Sequence, residues 1–154
     1  MGFRFADYDP QVHLSVDAWR GEDITRFAMD GSLREEWQYY RTCGEYSPGK
    51  NVFCKVALLA GAPVAAMIVF GDPVHPVGIN PIIVDPARCG QGIGSAVLRV
   101  FVDHIDEILP QRSNRIEVGI DEANAASRRA FENAGFVLDR IHPDGHFLYY
   151  SYYI

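Results

Sequence analysis

The chain has 154 residues, 48% hydrophobic and 22% charged, with 20 acidic against 14 basic side chains and a formal net charge of −6. That size predicts one domain over residues 1–154, and no run approaches the roughly 18 apolar residues of a membrane helix. The acidic balance excludes a general nucleic-acid binder and leans towards cationic partners.

The opening MGFRFADYD lacks the apolar core of a signal peptide, and Ala6 stands where a myristoylation motif needs Ser or Thr. A cytoplasmic protein is therefore expected, with no membrane or nucleic-acid partner and a homodimer left open. Within this stretch, FRFADYD predicts a short strand with Phe3 and Phe5 inward, closed by Asp9-Pro10. Helical patterns follow, the first near Gln11 to Met29 and broken around Gly21, the second opened by the capping box Ser32-Leu33-Arg34-Glu35. GEYSPGKN reads as a loop, and VFCKVALLAG with APVAAMIVFG as an antiparallel hairpin turning at Gly61-Ala62. VGINPIIV completes a meander, and Pro81 in its middle, which cannot donate to a ladder, predicts a bulge or a lost neighbour.

From Ile93 the apolar positions Val97, Val100, Phe101, Ile105 and Ile108 share one helical face until Pro110. NRIEVGID alternates as a strand, EANAASRRAFENAG predicts a helix closed by Gly135, and the remaining chain a terminal hairpin around Asp144-Gly145. Cys43, Cys54 and Cys89 are odd in number and form no CxxC pair, against both a disulfide framework and a thiolate zinc site. His142 and His146 lack a third ligand, so no metal is expected.

DPARCGQGIGSAV places Gly90, Gly92 and Gly94 between the third meander strand and the long helix. A dinucleotide fingerprint fails because Val97 or Ser95 occupies the place of its third glycine. Gly44 with Gly49-Lys50 mimics a P-loop, yet Asn51 replaces the magnesium-binding Ser or Thr, and the segment joins helix to strand rather than strand to helix. The loop from Arg88 to Gly94 does join strand to helix, and no acidic residue stands between Ala87 and Phe101. Bare amides and the positive helix end there suit an anion, against the alternative of a tight turn with glycines for packing alone.

IIVDPARCGQGIGSAVL resembles the acetyl-CoA loop of GNAT-type N-acetyltransferases, V-x-P followed by Arg or Gln-x-x-Gly-x-Gly or Ala, and NAASRRAFENAGF resembles their second signature. The resemblance implies an α/β (α+β) single domain with a mixed, mostly antiparallel sheet of about six or seven strands, split between the fourth and fifth and flanked by about four helices. It implies that Gly90, Gln91, Gly92, Ile93, Gly94 and Ser95 present donors to the coenzyme A pyrophosphate, with Cys89 beside them at the family's Arg or Gln place. It further implies that the backbone of Ile82, Ile83 and Val84 pairs with the pantetheine arm, and that Asn124 hydrogen-bonds it, with Ser127 and Phe131 on the same helical face. Phe131 stands where many members carry a proton-donating tyrosine.

The implied reaction moves an acetyl group from acetyl-CoA directly to a primary amine of a small molecule or a protein or peptide N-terminus. An amine of pKa about 10 costs roughly 4 kcal/mol to deprotonate at pH 7. The family's glutamate place, five residues before the Asn, is Gly119 here, so Glu117 on the same strand face is the expected base. Asp72 and His75 are further candidates, and Tyr149, Tyr150, Tyr152 and Tyr153 are candidate donors, only half of which an alternating strand directs to the site. The rival reading is a non-catalytic acyl-CoA-binding module.

Overall fold

The computed structural model describes residues 2–21, 24–29, 31–42 and 51–154. In chain order these form β1 (Phe3–Asp7), α1 (Leu14–Ala18), a π-helical turn (Ile24–Ala28), α2 (Leu33–Thr42), β2 (Asn51–Leu59), β3 (Ala62–Gly71) and β4 (Gly78–Val84). A short 3₁₀ turn (Pro86–Arg88), α3 (Ile93–Asp103), α4 (Ile105–Ile108), β5 (Arg115–Asp121), α5 (Ala125–Asn133), β6 (Val137–Ile141) and β7 (Phe147–Tyr153) follow. The P-loop decoy at 44–50 lies outside the described residues.

The strands form two antiparallel sheets, β1-β2-β3-β4 and β5-β7-β6. Among the described residues a single parallel bridge, Val77 to Ile116, stitches them together. There the Val77 amide donates to the Arg115 carbonyl and the Glu117 amide to the Val77 carbonyl, each at 2.8 Å. Beyond this stitch β4 and β5 share no ladder, which is the split between fourth and fifth strands that the resemblance implies.

The bulge expected at Pro81 is present. Met67 of β3 faces Ile82 and Val69 faces Ile79, so Ile68 alone stands against Asn80 and Pro81. A residue without an N–H is tolerated where the ladder is already interrupted.

β3 runs through the centre, and its continuous apolar sequence is buried on both faces. On one side Ala65, Met67 and Val69 join α3, α4 and α5 in a core with Phe101, Ile116, Val118, Ile120, Phe131 and Tyr150. On the other, Ala66, Ile68 and Phe70 pack under α1, the π turn and α2 with Val16, Leu33 and Tyr40. This second core takes no residue from β5, β6 or β7. One face of the three-stranded sheet is thus left without a helical cover among the described residues.

One helical expectation is corrected. The pattern from Ile93 to Ile108 is not one helix, because His104 leaves the helical region with φ −112° and ψ 17°. The break turns Ile105, Ile108 and Leu109 onto the core, where Leu109 fills the space beside Gly71. Between Gln11 and Met29 the expected break around Gly21 separates the short α1 from the π turn, and the described residues hold five α-helices, close to the about four expected. The capping box is observed, with the Glu35 amide donating to Ser32 Oγ at 3.2 Å.

Candidate active site

Gly90 and Gly92 adopt φ of +79° and +76°, the left-handed region that a side chain resists. A Cβ at either would meet nothing within 4 Å, so the loop's backbone faces open space. Gly94 plays a different part: its Cβ position lies 3.5 Å from Ala130 Cβ and 3.7 Å from Val84 Cγ2, which seats the first turn of α3 between α5 and β4. Gly92 caps the eleven-residue α3, whose first turn contains no acid. Its positive end therefore has no built-in counter-charge.

The loop borders a cavity of about 380 Å³, walled by Val84, Gly92, Asn124, Ser127 and Phe131 and flanked by Arg88 and Arg129. A second cavity of about 320 Å³ opens between Ile79–Ile82 of β4 and Val118–Asp121 of β5, with Phe147 at its side. The two have six residues in common: Phe27, Ala28, Ile82, Asn124, Ser127 and Phe131. The two cavities therefore adjoin at the split between the sheets. β4 pairs with β3 on one edge, Ile82 to Val84 against Met67 to Ala65, while the edge towards β5 is free beyond the bridge. An extended chain of alternating donors and acceptors can add to that edge as a strand would.

The residues expected from sequence largely converge here. Ile82, Ile83, Val84, Cys89, Gly90, Gly92, Ile93, Gly94, Ser95, Asn124, Ser127 and Phe131 all line the first cavity. Gln91 does not; it lies in the loop but outside both linings. Asn124 caps α5, its Oδ1 accepting from the Ser127 amide at 3.2 Å, which leaves Nδ2 without a partner among the described residues. Phe131 is buried and stacks edge-on against Phe136 with ring centroids 5.0 Å apart.

Glu117 is not brought to either cavity. Its oxygens accept from Arg140 at 2.7 and 3.1 Å, with Arg115 3.3 Å away. The same hydrogen bond holds the Arg140 guanidinium more firmly in its charged form. Asp72 and His75 lie before β4 at the stitched end, where the Ser113 hydroxyl donates to the His75 carbonyl at 2.7 Å. Amides of His75 and Val74 hold the Asp72 carboxyl at a pKa of about 2, despite its burial. Among the tyrosines, Tyr150 faces the core and donates to Glu132 at 2.6 Å, and Tyr152 packs beside Phe136. Tyr149 stands opposite Gly119 in the β5–β7 ladder, under the Arg140 guanidinium. His142 and His146 pair with Asp144 and Glu122. Among the described residues no group of three or more His, Cys, Asp or Glu is placed to hold a metal ion.

Sequence reasoning missed the π turn, which contributes Ile24, Phe27 and Ala28 to the walls, and Arg129 and Ala130 of α5. Arg129 follows Asn124 by five positions on α5, within the second signature; nothing in ITRFA distinguishes it from an ordinary turn.

Residues 15–136 match the model of the acetyltransferase (GNAT) family. The chain belongs to the GNAT acetyltransferase family. Its members are acyl-CoA-dependent N-acetyltransferases. The aminoglycoside acetyltransferase AAC(6')-Ib, solved with coenzyme A and kanamycin, superposes with a TM-score of 0.75 at 16% identity over 99% of this chain and 95% of that one. Mycobacterium smegmatis RimJ, solved with CoA-disulfide, gives 0.74 at 18% identity over 98% and 81%. The GNAT domain of S. lividans PAT gives 0.70 at 15% identity over 99% and 89%. No curated protein matches. At these identities the structural likeness concerns the fold, and it agrees with the GNAT architecture derived above. No helix among the described residues is long and apolar enough to cross a membrane.

Proposed function

We propose that this GNAT protein transfers an acetyl group from acetyl-CoA to a primary amine of a small molecule or a protein N-terminus, by direct attack, in the cytoplasm. The observation that carries this reading is the pair of adjoining cavities at the split sheet, one bordered by the glycine loop and the other opening between β4 and β5. The amides of Gly90 to Ser95 and the α3 N-terminus suit the pyrophosphate, with Arg88 and Arg129 adding positive charge at the border. The free edge of Ile82 to Val84 and the uncommitted Asn124 Nδ2 suit the two amides of the pantetheine arm. The arm then delivers its thioester to the gap between β4 and β5, and the amine enters through the second cavity, where Phe27 and Phe147 offer apolar walls.

The test is calorimetric titration of acetyl-CoA, with NADH and ATP as controls, followed by thiol release with a panel of amines: spermidine, kanamycin, free amino acids and short peptides with open N-termini. Selective acetyl-CoA binding with turnover of at least one amine supports the reading. Binding without thiol release on any amine would replace it with a non-catalytic acyl-CoA-binding module.

A further inference from the structure

We infer that Asp121, rather than Glu117, receives the acceptor's ammonium and takes its proton; this rests on the acetyl-transfer reading above. Three carboxylate-or-vacant positions share one face of β5: Glu117, Gly119 and Asp121. Gly119, with no side chain, lines the second cavity, and the other two stand one strand repeat away in opposite directions, roughly 7 Å each. The bridge between Val77 and Ile116 decides between them. Glu117 is at the stitched end, its own amide bonded to Val77, and its carboxylate is occupied by Arg140 and Arg115. Asp121 is at the open end and lines the cavity itself.

The surroundings of Asp121 leave it available. Its Oδ1 accepts from the Ala123 amide at 2.9 Å, while Oδ2 has no partner and the carboxylate pairs with no cation among the described residues. The charged groups near it are otherwise engaged. Glu122, the next residue, pairs with His146, and Arg128 of α5 donates to the Glu122 carbonyl at 3.3 Å. Arg140 is held by Glu117 across the sheet face. Arg26 of the π turn also lines the cavity, its guanidinium over the Phe27 ring. Phe147, directly opposite Asp121 in the β7 ladder, walls the same cavity. An ammonium entering this mouth meets the one carboxylate on the cavity lining, Asp121, beside Phe147, with Arg26 the one cation on the same lining among the described residues.

The proton balance is then complete. The ammonium gives one proton to Asp121, which passes it to water; the neutral nitrogen forms its bond to the thioester carbonyl carbon as the carbon–sulfur bond breaks. The second proton shed by nitrogen ends on the coenzyme A thiol. No other reactant is required.

The experiment compares Asp121→Asn with Glu117→Gln, using the amine from the panel that gives the wild type its highest kcat/KM. An asparagine Oδ1 still accepts from Ala123, so the turn before α5 is kept and acetyl-CoA binding is expected within threefold of wild type. The expected result for D121N is a fall of about 100-fold in kcat/KM at pH 7, with the loss shrinking as pH rises and the free amine becomes abundant. E117Q is expected within threefold. A D121N variant that matches the wild type in rate and pH profile, or an E117Q variant that alone collapses, overturns the assignment. No thiol release from wild type with any amine would refute the acetyl-transfer reading, and this one with it, whereas active wild type with unaffected D121N refutes this one alone.

Discussion

Placing an aspartate at Gly92 separates the proposed anion-binding role of the glycine loop from its role in folding. Gly92 sits at φ +76° with nothing within 4 Å of its Cβ position. The backbone strain of a side chain there is about 1 kcal/mol. It is opposed by up to about 1 kcal/mol from a carboxylate at the N-terminus of α3, so the stability of Gly92→Asp should lie within about 1 kcal/mol of wild type. Binding has no such compensation. A carboxylate about 5 Å from one pyrophosphate charge repels it by about 3 kcal/mol at an effective dielectric constant near 20, which is a loss of 100-fold or more in acetyl-CoA affinity. Gly61 provides the control: it also adopts a left-handed φ, +82°, has nothing within 4 Å, and lies at the tip of the β2–β3 hairpin, away from both cavities. Gly61→Asp repeats the backbone strain without touching the site. Calorimetric titration of acetyl-CoA and denaturant unfolding of both variants give the four numbers needed. A Gly92→Asp protein that binds acetyl-CoA within threefold of wild type would refute the argument that the loop holds the pyrophosphate.

Asn124 caps α5 and, on the proposed reading, also donates to the pantetheine arm, and two substitutions divide these roles. Asn124→Ser retains a capping oxygen for α5 but not the amide donor, so acetyl-CoA affinity should fall with stability nearly unchanged, whereas Asn124→Ala should lose affinity and about 1 kcal/mol as well; equal stability losses in both variants would show the cap reading to be wrong. Phe101, fully buried and edge-on to Phe5 with ring centroids 6.4 Å apart, should cost about 3–5 kcal/mol on truncation to Ala, measured by urea unfolding, and a loss under about 1.5 kcal/mol would mean that the core between α3 and the sheet is not packed as described. Asp72 supplies the pH dependence: its folded pKa of about 2 lies below its ordinary value. Its stabilisation is therefore complete above pH about 4 and lost as pH falls through about 2. The wild-type urea midpoint should drop over that window more than that of Asp72→Asn; parallel curves would remove Asp72 from the account of acid unfolding.

Much of the architecture was legible because each local signal had one physical reading. APVAAMIVFG read as a strand of an antiparallel hairpin, and it became β3, which the structure buries between the two cores. Pro81 had to interrupt a ladder, and β4 bulges there against Ile68. Two of the three loop glycines hold left-handed backbone and the third a close packing contact, so the spacing that carried the resemblance is also what the geometry requires. What stayed hidden depends on contacts distant in sequence. The insertion of β7 between β5 and β6 is one such case, since the terminal hairpin pattern is the same whichever of its strands meets β5. The π turn is another: its wall residues Ile24, Phe27 and Ala28 look like any apolar helical face until β4 is set against them.

The two acids on β5 show why a site can be located by sequence while its chemistry is not. Glu117 and Asp121 are equidistant from Gly119 and on the same face, so alternation alone ranks them equally. Their difference is made by residues far along the chain. Val77 closes one end of the β4–β5 gap beside Glu117, and Arg140, 23 positions later, neutralises that carboxylate from β6. Neither contact leaves a mark in the sequence near Glu117. The free edge of β4, the free oxygen of Asp121 and the loss of the ladder all follow from one cause: the sheets are stitched once and then diverge. On the proposed reading two molecules complete these groups: the pantetheine arm adds to the β4 edge as a strand would, and a separate amine meets the Asp121 carboxylate.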